Sequence, residues 1–202
     1  MRFRVGMLSV LLFTASASSV LAQAPAVKPE TGWTHGTTRG ASIGLATDSS
    51  ATGVVAGTLM GWEFTPTVSI EGTAFWLDRG SSNNAFAAAL TTNVGLTHTH
   101  PVVPFASAGF GMYRFTTGRN ATHVPAFYRD RIEQTPDALT VGHTFTDPAF
   151  TVGMGVNLSL SRHVGVRPEV RGLFPFTGSD VHAVPTFRVD VVYHFEDHTV
   201  TR

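Results

Sequence analysis

The chain has 202 residues, 43% of them hydrophobic and only 14% charged, against roughly 25% charged in an ordinary soluble protein, so part of its surface must face something other than water. Fourteen basic residues balance fourteen acidic ones, which excludes a basic groove for nucleic acid. With no cysteine, disulfide frameworks, thiolate zinc sites and cysteine nucleophiles are excluded together.

Residues 1–22 read as a bacterial secretory signal peptide. Arg2 and Arg4 form a charged start, residues 5–13 are apolar, and Ala22-Gln23-Ala24 supplies small residues for cleavage. The apolar run is short of the roughly 20 residues a spanning helix needs. Residues 23–35, with Pro25 and Pro29, read as an extended periplasmic lead-in.

From residue 36 the pattern has period two, the signature of strands with two unlike faces. The first segment, 37–45, carries Ala41, Ile43 and Leu45 on its apolar side. Segment 54–64 sets Val54, Ala56, Met60, Trp62 and Phe64 against Gly53, Gly57, Gly61 and Glu63. Segment 68–76 opposes Val68, Ile70, Ala74 and Trp76 to Ser69, Glu71, Thr73 and Phe75. Residues 86–96 put Phe86, Leu90, Val94 and Leu96 on one face and Ala87, Thr91, Asn93 and Gly95 on the other. In 104–112, Ala106, Ala108, Phe110 and Met112 oppose Ser107, Gly109 and Gly111, with Phe105 the exception. The cleanest case is 149–160, where Phe150, Val152, Met154, Val156, Leu158 and Leu160 oppose only small or polar residues. Segment 164–174 places Val164, Val166, Val170 and Phe174 against Gly165, Arg167, Glu169 and Arg171. Finally, 185–195 places Phe187, Val189, Val191, Tyr193 and Phe195 against Thr186, Arg188, Asp190 and His194.

Eight segments, an even number, predict an all-β fold: an eight-stranded antiparallel up-and-down transmembrane β-barrel with a polar lumen, spanning residues 36–195. Connections alternate between short, at 65–66, 98–101 and 162–163, and generally longer, at 79–85, 116–148 and 176–184. Short turns at one end and long loops at the other predict periplasmic termini. A soluble ligand-binding barrel would turn its bulky apolar residues inward instead. Apolar-face aromatics fall near the strand ends, Trp62, Phe64, Tyr193 and Phe195 at one and Trp76, Phe86, Phe150, Phe174 and Phe187 at the other, as interfacial girdles do.

The segments Pro104-Phe105-Ala106-Ser107-Ala108-Gly109-Phe110-Gly111, Gly165-Val166-Arg167-Pro168-Glu169-Val170-Arg171 and Val191-Val192-Tyr193-His194-Phe195 resemble the fifth, seventh and eighth strands of the outer-membrane-protein beta-barrel domain family, small porin-like barrels similar to outer membrane protein A. The resemblance implies the outer membrane of a Gram-negative-type bacterium, outer-membrane lipids as surroundings, and insertion by the barrel-assembly machinery. Family members commonly end on an aromatic in the last strand; here residues 196–202 follow as a periplasmic tail.

Charges of inward parity form the candidate site: Glu63, Glu71, Arg167, Glu169, Arg171, Arg188 and Asp190. Isolated charges in a lumen are costly unless paired or hydrated, so a mixed network that plugs the interior is expected, with a narrow passive pore for small solutes as the alternative. Arg167 and Arg171 lie roughly 13 Å apart along one face, with Glu169 between them, a spacing that permits bridges to the next strand. No enzyme, cofactor or metal site is expected. His98-Thr99-His100 lacks a third ligand, and Ser161-Arg162-His163 sits in a tight turn with no orienting acid; the His-x-Ser pattern of a lipid A deacylase is absent. Asn120-Ala121-Thr122 matches a glycosylation acceptor, without force in a bacterial loop. The connection 116–148, with Arg119, Arg129, Asp130, Arg131, Glu133, Asp137, Phe127 and Tyr128, is where an extracellular partner or solute would be met. A monomer is expected.

Overall fold

The computed structural model describes residues 36–47, 51–65, 67–80, 83–97, 101–118, 124–134, 142–161, 163–177 and 180–196. The expected signal peptide, lead-in, His98-Thr99-His100 turn, Asn120-Ala121-Thr122 sequon and the 197–202 part of the tail lie outside them.

Eight long strands close on themselves. They are β1 (Gly36–Thr47), β2 (Thr52–Thr65), β3 (Val68–Asp78), β4 (Asn84–Gly95), β5 (Val102–Thr116), β6 (Thr144–Ser159), β7 (Val164–Thr177) and β9 (Val184–Glu196). Each pairs antiparallel with its chain neighbours, and β1 pairs with β9 from Gly36↔Glu196 to Ala46↔Thr186. Closure leaves no unpaired strand edge, the condition for crossing hydrocarbon where no water can satisfy backbone groups. A two-residue strand, β8 (Asp180–Val181), adds a short hairpin to the far end of β7. One irregularity has a plain cause: the β6–β7 pairing runs to Gly155↔Glu169 and resumes at Leu158↔Val166, and the intervening stretch of β7 contains Pro168, which has no N–H to give.

The parity read from the sequence decides which side chain faces where. Ile43, Leu45, Met60, Leu90, Phe110, Met154 and Leu160 all stand exposed on the outer wall, and Met154 is 68% exposed. A continuous apolar exterior of this kind is far larger than water-soluble monomers carry; it is the lipid-facing band. Met154→Arg is therefore expected to destabilise the barrel by roughly 2–4 kcal/mol, the cost of a cation near the bilayer midplane, as read by urea unfolding in vesicles.

Two features differ from the sequence expectation. The β5–β6 ladder runs unbroken from Val102↔Leu158 to Thr116↔Thr144, so it climbs about 36 Å along the axis at a 40° tilt and outruns the roughly 25 Å apolar band. The connection 116–148 is thus shorter than its sequence span, and it contains a helix, α1 (Ala126–Glu133). The lumen is also not polar throughout. In the half toward the long loops, inward positions are Val55, Phe75, Leu77, Ala87, Tyr113, Phe115, Phe145 and Leu173, which form one buried apolar cluster with Tyr128 and Ile132 of α1. Eight residues of helix are marginal alone in water, and α1 has no side-chain N-cap. Its docked face supplies the stability instead, since Tyr128 and Ile132, four apart, point the same way.

Candidate functional site

The two lumen layers have different chemistry. Below the apolar layer, toward the short-turn end, six of the seven predicted charges meet. Arg167 and Asp190 are directly opposed in the β7–β9 ladder, as are Glu169 and Arg188, and β3 brings Glu71 from across the barrel. The Arg167 guanidinium grips Glu71 with two parallel bonds, Nη1 to Oε2 at 2.6 Å and Nη2 to Oε1 at 2.9 Å, the bidentate fork that makes arginine–carboxylate pairs strong. It also donates to Asp190 Oδ2 from Nε at 3.0 Å and Nη2 at 2.8 Å. Glu169 takes Arg171 Nε on Oε1 at 2.7 Å and Arg188 Nη2 on Oε2 at 2.5 Å. Arg171 Nη2 lies 3.7 Å from Glu71 Oε1, which links the two halves.

Three guanidinium groups thus face three carboxylates, and the cluster is neutral as a whole. All six residues are buried, Asp190 at 0% and Arg188 at 1% exposure. Polar neighbours complete the shell: Ser107 Oγ donates to Glu169 Oε1 at 3.4 Å and Asn93 Nδ2 to Glu71 Oε2 at 3.5 Å. Two rings pack on the cations, Phe105 with its centroid 5.4 Å from the Arg167 guanidinium carbon and Phe75 at 4.0 Å from that of Arg188. Phe105, the exception to its strand's alternation, is inward for this reason. Arg188 is the least satisfied member, because its Nε and Nη1 have no hydrogen-bond partner among the described residues; the Phe75 face offsets part of that cost.

Space is as tight as the pairing. A Cβ built on Gly153 would lie 2.6 Å from Ser107 Oγ and 2.7 Å from Glu169 Oε1, and one on Gly155 would lie 2.8 Å from the Phe105 ring. These glycines exist so that the cluster can fit inside eight strands. Beside the cluster, Arg171, Arg188, Thr151 and Thr186 share with Val55, Phe75 and Leu173 a cavity of about 20 Å³, no more than a single water occupies.

Glu63 is not brought into this cluster. It lies near the short-turn end, where its Oε2 is 3.3 Å from His194 Nε2, both side chains a little over a quarter exposed. Ser161 Oγ accepts the backbone N–H of Val164 at 3.1 Å, a turn-closing role.

Above the apolar layer, α1 adds contacts the sequence reading missed. Tyr128 Oη donates to Asp147 Oδ2 at 2.6 Å, and Arg131 Nη1 donates to Asp147 Oδ1 at 2.9 Å. The Tyr128 ring stacks on Phe115 at 5.1 Å and on Phe145 at 5.0 Å. Burial first, and then the Asp147 carboxylate, push the Tyr128 hydroxyl pKa upward, so the group stays protonated and serves as a donor. The signal was present: Tyr113, Phe115, Phe145 and Asp147 continue the period-two pattern on either side of the 116–148 connection, where the expected strands ended at Met112 and began at Ala149.

A closed transmembrane barrel with an internally neutralised lumen is the class that this geometry defines. Comparison with known proteins agrees on the barrel. The chain belongs to the outer membrane protein beta-barrel domain family, whose model matches residues 8–195, and an outer-membrane location follows from that membership. Among solved structures, Neisserial surface protein A is similar at 12% identity and a TM-score of 0.55, over 81% of this chain and 97% of that one. The N-terminal beta-barrel domain of Pseudomonas aeruginosa OprF is similar at 10% identity and a TM-score of 0.57, over 78% and 97%. The attachment invasion locus protein Ail of Yersinia pestis gives 10% identity and a TM-score of 0.52, over 81% and 100%. At such identities the likeness is one of fold. No curated protein matches the chain by sequence.

Proposed function

We propose that this outer-membrane barrel has a structural or surface role and a largely plugged lumen, with its termini and short turns in the periplasm and the α1-bearing connection outside. One observation carries the reading: the interior is filled twice over, by a neutral cluster of six charges and by an apolar layer that α1 seals. A conducting pore needs a hydrated path, and here the charges are spent on one another. The carboxylates are held by guanidinium groups rather than presented to a substrate, which supports a non-enzymatic role. Under this reading residues 1–22 are a removed signal peptide, outer-membrane lipids and the barrel-assembly machinery are the partners of folding, the monomer is the working unit, and an extracellular partner would meet the connection 116–148. Liposomes carrying the refolded protein should swell in isotonic small sugars or amino acids no faster than protein-free liposomes. Rapid swelling would support the narrow passive pore instead.

A further inference from the structure

Near the terminus end of the barrel the outer wall carries a charge that the apolar band does not explain. Arg39 of β1 shares the outward parity of Ala41, Ile43 and Leu45, and its side chain is exposed. It stands between Met60 of β2 and Tyr193 of β9 in the ladder. Among the described residues no carboxylate pairs with it. Its guanidinium carbon lies 5.4 Å from the centroid of the Phe195 ring, although Phe195 is the partner of Thr37 rather than of Arg39. The side chain therefore reaches two residues toward the terminus end of the barrel. On the other side of Thr37 stands Trp62, so the cation descends into a belt made by Trp62, Tyr193 and Phe195, each of them 41% to 53% exposed.

We infer that Arg39 and this aromatic belt form a binding site on the outer wall for the phosphate of a membrane phospholipid. A cation on the lipid-facing wall is unfavourable near the midplane and tolerated near an interface, and long basic side chains reach the headgroup level when they can. Phe195 covers one face of the guanidinium, which leaves its edge donors for an acceptor outside the protein. A phosphodiester fits that need, because the planar fork of arginine matches phosphate oxygens two at a time, while the rings of Trp62 and Tyr193 pack on the glycerol and upper acyl region as interfacial aromatics do. With the termini periplasmic, the lipid belongs to the inner leaflet; the site itself does not depend on whether the lumen conducts.

The test uses the full protein refolded into phosphatidylcholine vesicles containing a minority of phosphatidylglycerol, released in nonionic detergent and weighed by native mass spectrometry. Heat-modifiable migration confirms that each variant is folded. Wild-type protein should retain one phospholipid. Occupancy should fall by about tenfold in Arg39→Gln, the loss expected for a charge-assisted contact, and less in Arg39→Lys, which keeps the charge without the fork. Arg129→Ala, on the exposed side of α1, should leave occupancy unchanged. Excess inorganic phosphate should not displace the lipid. Equal occupancy in wild type and Arg39→Gln, no retained lipid on wild type, or displacement by inorganic phosphate would each overturn the proposal.

Discussion

Glu169→Ala is expected to lower the stability of the barrel by about 3–5 kcal/mol, the range for breaking a buried pair by removing one partner. The expected loss is large because Glu169 is a hub. One of its oxygens holds Arg171 and the other holds Arg188, and Ser107 leans on the first. Removal takes from Arg188 the carboxylate it is paired with, when two of its nitrogens already go without a hydrogen bond, and leaves Arg171 its hydrogen bond to Thr73 Oγ1 and the longer 3.7 Å approach to Glu71. Two buried cations then face one another and must recruit water. Urea titration of the refolded protein in vesicles measures the loss. An unchanged midpoint would mean that the cluster is already hydrated and the pairs count for little. Arg129→Ala, exposed on α1, provides the comparison and should be silent.

Tyr128→Ala should cost a similar amount, about 3–5 kcal/mol for a large buried aromatic, for a different reason. It removes the ring stacked between Phe115 and Phe145 and the donor that Asp147 receives, so α1 loses the side chain that seats it. The helix should then open to protease: trypsin should cut after Arg129 or Arg131 in the variant under conditions that spare the wild type. Conductance should stay low, because the charge layer beneath is untouched. Unchanged protease resistance would show that α1 is held by something other than Tyr128.

Much of this architecture was legible in the sequence, since a membrane barrel writes its two faces in alternation. The outward Met154 and Leu90 and the inward Arg167, Glu169, Arg171, Arg188 and Asp190 follow from parity alone, and so does the β7–β9 pairing, because these charges lie on chain-adjacent strands. Glu71 had the same parity, but that it crosses the lumen to Arg167 depends on the barrel's narrow bore, which no local pattern encodes. Glu63 also had the right parity and yet sits with His194, because parity fixes the face and not the depth. The apolar upper lumen was hidden for a related reason. Phe75, Tyr113 and Phe115 are apolar on the inward side, and an expectation of a polar lumen gives such residues no place. Helix α1 left only a faint trace, since eight residues with two anchors four apart make a short apolar stripe. Arg39 shares the parity of Ala41, Ile43 and Leu45, but the sequence reading did not single it out, because its place beside Phe195 depends on the β1–β9 closure.

The central claim, a lumen closed by paired charges beneath an apolar layer, is tested most directly by single-channel recording of the refolded protein in planar bilayers, wild type beside Glu169→Ala, Tyr128→Ala and the two combined. Wild type should show no large, stable conductance, and Glu169→Ala combined with Tyr128→Ala, which breaks both layers of the lumen, should show openings that wild type and either single variant lack. Large, steady conductance in wild type that the combined variant leaves unchanged would contradict it.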